Sequence, residues 1–168
     1  TEKIQQTLID FGINLKDVHI AYCPERVLPG KIMTEIAQND RIVGGLASIS
    51  TKKIADFYRM FVNGDILETE AKTAEMCKLA ENSFRDLNVA FANELSMICD
   101  KQGINVWNLI KLANKHPRVN ILQPGTGVGG HCIAVDPWFI ISQDIENTKL
   151  IRSAREVNNY KTKWVIEK

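Results

Sequence analysis

The sequence predicts an α/β segment, the edge of a sheet, followed by a mainly α-helical segment built on one long helix. Three observations carry this. Up to residue 68, apolar spacing reads helix, strand, strand, helix, strand, an order found at the edge of an α/β sheet. From Thr69 to Gln102 there is neither proline nor glycine, and Ala, Leu, Glu, Lys, Met and Arg are frequent. Beyond that, four glycines fall within the six positions 125–130, next to a cysteine.

Residues 2–11 carry Ile4, Leu8, Ile9 and Phe11 at helical spacing, with Gly12 as a stop. The run 18–23 reads as a strand ended by Pro24. A polar connection follows through Pro29 and Gly30 to a second short strand over 41–45. Ser50 is placed to cap the next helix, whose Ile54, Phe57, Tyr58, Phe61 and Val62 recur at three and four before Gly64. A third strand is expected around 66–68. The long helix over 69–102 would run roughly 50 Å at 1.5 Å per residue. Its Ala74, Cys77, Phe84, Leu87, Phe91, Leu95 and Ile98 predict a broad buried face. Gly103 ends it, and a shorter helix is expected over 105–113. A last helix, capped by Asn147, would turn Leu150, Ile151, Ala154, Val157, Tyr160 and Trp164 inward.

The 168 residues suffice for one ordinary domain or for two pieces of larger ones; the expectation is a chain cut from something longer. With 45% hydrophobic and 24% charged residues it has the composition of a globular protein. A net charge of +1 and no basic run give no reason to expect nucleic acid or an anionic membrane as partner. No apolar stretch reaches the length of a membrane span, and the chain reads as cytoplasmic. Cys23, Cys77, Cys99 and Cys132 include no C-x-x-C pair, so neither a zinc site nor a disulfide framework is suggested. Free thiols fit a reducing compartment.

Function is most legible in the stretch 125–137. The glycine run lets a ligand approach the backbone closely. Asp136 followed by Pro137 reads as an N-cap and a first helical residue, which puts Cys132 about one turn ahead of a helix N-terminus. If that positive end faces the sulfur, it favours a nucleophilic cysteine; a buried, inert cysteine is the other reading. Gly125, Gly127 and Gly130 match G-x-G-x-x-G, but no strand precedes them and Pro137 blocks a helix from opening at the last glycine. A dinucleotide phosphate loop is therefore not expected there. On the long helix, Lys78, Asn82 and Arg85 fall at i, i+4 and i+7 and share a face, pointing either into one pocket or into solvent. His116 and Arg118 read as loop surface residues.

Three motifs, Cys-Pro-Glu-Arg-Val-Leu-Pro-Gly at 23–30, Ala-Glu-Met-Cys-Lys-Leu-Ala-Glu-Asn at 74–82 and the loop 125–137, together resemble the nucleotide-sugar 6-dehydrogenases. The resemblance covers nearly the whole chain. It implies the end of an NAD-binding Rossmann-type domain over 1–68 and a central helical dimerisation and catalytic domain over 69–146. Residues 147–168 would begin the helix leading to a further nucleotide-binding domain. NAD would be the cofactor, its dinucleotide loop lying outside these residues. A UDP-sugar would be the substrate, and a homodimer would form through the long helix.

The same resemblance implies oxidation of the sugar C6 alcohol to a carboxylate by two hydride transfers. Cys132 occupies the nucleophile position, forming a thiohemiacetal and then a thioester. Asp136 would serve proton transfer and the attacking water, while Lys78 and Asn82 would stabilise oxygen charge. Glu25 would assist acid–base steps or thioester hydrolysis. Arg26, Val27 and Arg85 would contact substrate; Arg118, with His116 and Gly129, would reach it from the partner subunit. His131, Val135 and Pro29 depart from the UDP-glucose branch and favour an N-acetylhexosamine.

Overall fold

A computed structural model describes all of Thr1–Lys168 and divides them into two compact units, Thr1–Lys78 and Leu79–Lys168. The first holds α1 (Glu2–Asp10), β1 (Ala21–Tyr22), α2 (Ile32–Gln38), β2 (Arg41–Gly45), α3 (Ser48–Arg59) and β3 (Ile66–Glu70). The helix α4 (Ala71–Gln102) begins in the first unit and continues through the second, which adds α5 (Val106–Ala113), α6 (Asp136–Gln143) and α7 (Lys149–Glu167). The fold class is the one expected: the edge of an α/β sheet and then a helical part built on one long helix.

The sheet has the order β1-β2-β3. β1 pairs antiparallel to β2, Ala21 opposite Gly45, and β3 pairs parallel to β2, Arg41 opposite Ile66 and Gly45 opposite Glu70. All five residues of β2 are buried, as a central strand requires. Thr51 fastens α3 to both parallel strands: its hydroxyl accepts the Gly45 amide (3.0 Å) and lies 3.2 Å from the Thr69 carbonyl it donates to. At Gly44 a Cβ would sit 2.5 Å from both the Ala74 Cβ and the Glu70 carbonyl, so the first turn of α4 packs directly onto bare β2 backbone.

Three local expectations in this unit are corrected. The first strand is regular only over Ala21–Tyr22, because only that part reaches β2. The connection to β2 contains α2, whose sequence has no capping side chain to announce it. Its last carbonyls are met by tertiary partners instead: Arg41 Nη2 donates to Ile36 O (3.1 Å) and the Asn63 amide to Ala37 O (2.6 Å). Ser50 is not a cap either; α3 starts at Ser48, and Ser50 is buried within it.

Of the expected buried face of α4, Ala74 is buried and Cys77, Leu87 and Leu95 are half-buried, but its largest apolar side chains in the second unit turn outward. Phe84, Phe91 and Ile98, seven residues apart, are 69%, 53% and 47% exposed. The inward positions are small or polar: Asn82, Ser83, Asp86, Ala90, Ala92, Asn93, Ser96 and Cys99. α7 faces the core with Ala154, Arg155, Asn158 and Lys161, while Leu150 and Tyr160 are exposed. Small residues let α4 and α7 approach, and a buried network then links them. Asp86 Oδ1 accepts from Arg155 Nη1 (2.6 Å) and Asn158 Nδ2 (2.8 Å), and Lys161 Nζ donates to Ser96 Oγ (2.8 Å). Apolar periodicity cannot anticipate helices joined through such groups.

Caps differ too. Asn147 does not cap α7; Thr148 precedes that helix, and Asn147 donates through its amide and side chain to Asp144. Asn105 does cap α5, accepting the Asn108 amide at 3.0 Å.

Two substitutions probe this architecture. Gly44→Ala is expected to cost about 1–3 kcal/mol through overpacking. Arg155→Met is expected to cost about 3–5 kcal/mol, because it strands the Asp86 carboxylate in the interior. Urea-midpoint shifts check both; an unchanged midpoint for Arg155→Met would remove the network from the stability of the second unit.

Candidate active site

In the first unit, the loop after β1 is shaped by one carboxylate. Glu25 Oε1 accepts the amides of Arg26 (2.6 Å) and Val27 (2.7 Å), and its Oε2 accepts from Arg41 Nη1 (2.7 Å). Arg41 is buried on β2 and lies over the Tyr58 ring, 5.7 Å from its centroid. Partial burial pushes the Glu25 carboxyl up, but the Arg41 guanidinium and the two amides outweigh it and hold the group below its ordinary value of 4.5. Lys78, at the end of this unit, donates from Nζ to the Glu25 carbonyl at 2.8 Å. Glu25, Arg26, Val27 and Lys78 thus belong to one small constellation. Arg26 and Val27 are half-buried on it.

In the second unit, Cys132 is exposed, whereas Cys99 is buried. The run 119–135, which includes the glycines, contains neither strand nor helix. The Cys132 carbonyl accepts the amides of Val135 (3.0 Å) and Asp136 (2.8 Å), so the thiol-bearing residue sits one turn ahead of α6. Asp136 is the first residue of α6 and Val135 its cap position. The Asp136 side chain is not used as a cap: Asn82 Nδ2 donates to its Oδ2 at 2.5 Å. Asn82 is buried, and that bond ties the start of α6 to α4.

The remaining residues of this unit are less gathered. Arg85 and Gly129 are exposed. His116 and Arg118 are exposed on a turn between α5 and the glycine run, where His116 Nδ1 lies 3.3 Å from the Arg118 amide. Asn114 closes that turn, accepting the Ile121 amide (2.7 Å) and donating to its carbonyl (2.9 Å).

Sequence reasoning missed the open cleft at the carboxyl ends of β2 and β3, about 480 Å³, lined by Gly45, Ser48, Thr51, Thr69 and Glu70 among others. The carboxyl ends of parallel strands are where open α/β sheets take ligands. The signal for it was the pair of parallel strands joined by α3.

Residues 72–160 match the central domain of the UDP-glucose/GDP-mannose dehydrogenase family, and residues 1–62 match that family's NAD binding domain. The chain belongs to this family. Among the dehydrogenases it resembles, the UDP-N-acetyl-D-mannosamine dehydrogenase of Escherichia coli K12 is 63% identical over 151 residues, which are 90% of this chain and 36% of that protein. The NDP-N-acetyl-D-galactosaminuronic acid dehydrogenase of Ralstonia nicotianae is 59% identical over 152 residues, again 90% of this chain and 36% of the relative. The solved UDP-D-ManNAc dehydrogenase of Pyrococcus horikoshii superposes with a TM-score of 0.92 at 44% identity, over 99% of this chain and 40% of the other. The chain therefore spans little more than a third of the length of these dehydrogenases.

The Glu25 geometry fixes a pH dependence. A carboxyl depressed on folding contributes stability that is complete above its ordinary value of 4.5 and is lost as pH falls through the lower folded value. The melting temperatures of the wild type and Glu25→Gln should differ by a constant amount above that pH and converge below it. The gap corresponds to at most about 1 kcal/mol, because the carboxylate is half-exposed. A gap that persists unchanged into the acid range would break the assignment.

Proposed function

We propose that, within a polypeptide of the length of its relatives, this chain supplies the thiol nucleophile and much of the sugar site of an NAD-dependent dehydrogenase. The reaction is the four-electron oxidation of the C6 alcohol of UDP-N-acetyl-D-mannosamine to UDP-N-acetyl-D-mannosaminuronate. One observation carries the reading: Cys132 is exposed one turn before a helix whose first residue, Asp136, is held by a buried asparagine of α4.

A bound NAD would supply the hydride acceptor, one NAD molecule for each of the two oxidation steps. The cleft beyond β2 and β3 suits part of such a cofactor, offering the Ser48 hydroxyl and the Glu70 carboxylate. The glycine loop that would cradle its diphosphate is not among these residues, so residues 1–68 are read as the end of a cofactor domain and 69–146 as the catalytic centre, with 147–168 leading onward.

The chain's own residues account for the carbon chemistry. A free aldehyde gives up hydride poorly, whereas addition of the Cys132 sulfur to C6 yields a thiohemiacetal whose collapse to a thioester releases hydride. Water then breaks the thioester, returning the thiol and leaving a carboxylate. Lys78 keeps two of its three ammonium protons free after the bond to Glu25 O, and Asn82 keeps one amide proton; both suit a developing oxygen charge. Asp136 can take the proton of the attacking water while Asn82 holds its other face. Glu25 has both oxygens occupied and its charge held, which suits it to shaping the Arg26–Val27 loop better than to donating protons. Arg26, Val27 and Arg85 would bind the substrate, arginine forks matching a diphosphate. His116, Arg118 and Gly129 would reach it from the second subunit of a homodimer.

The exposed stripe Phe84, Phe91 and Ile98 supports a homodimer formed through α4, since seven-residue apolar spacing suits pairing with another helix. The uncombined thiols suit the cytoplasm, and no helix is long and apolar enough to cross a membrane. A sibling specificity, for an N-acetylglucosamine, glucose or GDP-mannose substrate, is the second reading. It is favoured by how little separates 63% identity to a mannosamine enzyme from 59% to a galactosaminuronate enzyme.

In the full-length enzyme, Cys132→Ser is expected to lower carboxylate formation by on the order of a thousandfold or more. Near-normal product from that variant would exclude the covalent role. Relative kcat/KM across a panel of UDP- and GDP-sugars decides the substrate, and the 168-residue chain alone should yield no NADH. Phe91→Glu should convert the dimer to monomer in sedimentation velocity; an unchanged dimer would move the interface off this stripe.

A further inference from the structure

Asn93 lies on the inward face of α4, fully buried, and every capacity of its side chain that the surroundings can meet is directed at two other elements. Its Nδ2 donates to Asn158 Oδ1 of α7 at 2.8 Å, and its Oδ1 accepts the Gly125 amide, also at 2.8 Å. Gly125 opens the glycine run. One residue on, the Thr126 carbonyl accepts the Thr162 hydroxyl of α7 at 2.9 Å. The next, Gly127, has φ +128°, and a Cβ there would run into Thr162 Oγ1 and lie 3.0 Å from the Asn158 carbonyl. At Gly127 the loop is therefore laid against α7 with no space for a side chain.

The exit of the same loop is held by Asn82, whose Nδ2 binds Asp136. Asn82 and Asn93 are eleven residues apart on one continuous helix, three turns, which returns them to one face about 16 Å apart. Two buried asparagines on one rigid element thus grip the two ends of the twelve residues 125–136 that contain Cys132.

We infer that Asn93 is a positioning residue for Cys132, with Thr162 as its accessory: together they fix the start of the nucleophile loop on the α4 and α7 framework, so that the thiol meets C6 in a set geometry. This rests on the reading of Cys132 as the nucleophile. Asn93 touches no reacting atom. Its contribution is to reduce the conformations open to a glycine-rich segment that would otherwise place the sulfur loosely, and misplacement by about 1 Å costs about a hundredfold in rate.

The test uses the full-length enzyme with Asn93→Ala, Thr162→Val and Thr162→Ser. Loss of one anchoring bond should raise amide exchange at Gly125 about tenfold while the α4 and α7 amides keep their protection. Asn93→Ala should lose about a hundredfold in kcat, and Thr162→Val about tenfold, each with KM for the nucleotide sugar changed less than about threefold; Thr162→Ser should restore kcat. Thr162 is exposed, so its variants fold even where Asn93→Ala does not. Unchanged exchange at Gly125 in Thr162→Val, or a loss expressed in KM with kcat intact, overturns the inference. Failure of the nucleophile reading is seen separately, as activity retained by Cys132→Ser, and leaves the exchange result to stand or fall by itself.

Discussion

The buried ion pair between Asp86 and Arg155, completed by Asn158, is the constraint on which the second unit depends. Both partners are almost wholly excluded from water, so loss of either leaves an uncompensated buried group on the facing helix. Arg155, Asn158 and Lys161 recur at three-residue intervals along α7 and meet Asp86, Asn93 and Ser96 in order along α4. This row of polar contacts sets Asn93 beside α7, and the glycine run is fastened there through it.

How much of this was legible in the sequence follows from what each element relies on. α4 relies on local propensity over thirty-two residues without a breaker, and it was plain. The position of Cys132 ahead of α6 relies on the adjacent Asp136 and Pro137, and it was plain within one residue. α2 relies on Arg41 and Asn63, both distant in sequence, so nothing local announces it. The interior of the helical unit was misread for a related reason. Phe84 and Phe91 look like core because most phenylalanines are, whereas Asp86, Asn93 and Arg155 look like surface until their partners are in view. The motif residues were found by resemblance; Asn93 and Thr162 belong to no motif, and only the backbone atoms they hold reveal them.

Charge is handled differently in the two units. Near β1 it is a half-exposed carboxylate that earns its ionised state from a buried arginine and two amides. Between α4 and α7 it is a lysine, Lys161, whose ammonium has a hydroxyl and the Trp164 ring as neighbours, 3.9 Å from the ring centroid. Burial pushes that ammonium below its ordinary range, against a smaller pull upward from Asp100. The lysine thus costs stability at neutral pH, and the cost is relieved as pH rises through its folded value towards that of the unfolded chain.

Of the four cysteines, Cys132 alone stands open at the surface, while Cys99 is sealed and the other two are half-covered. A sulfur that an aldehyde can reach is equally within reach of peroxide. Oxidant damage should then fall first on Cys132, the nucleophile of the proposed mechanism, as a sulfenic acid that a reductant can reverse before higher oxides form.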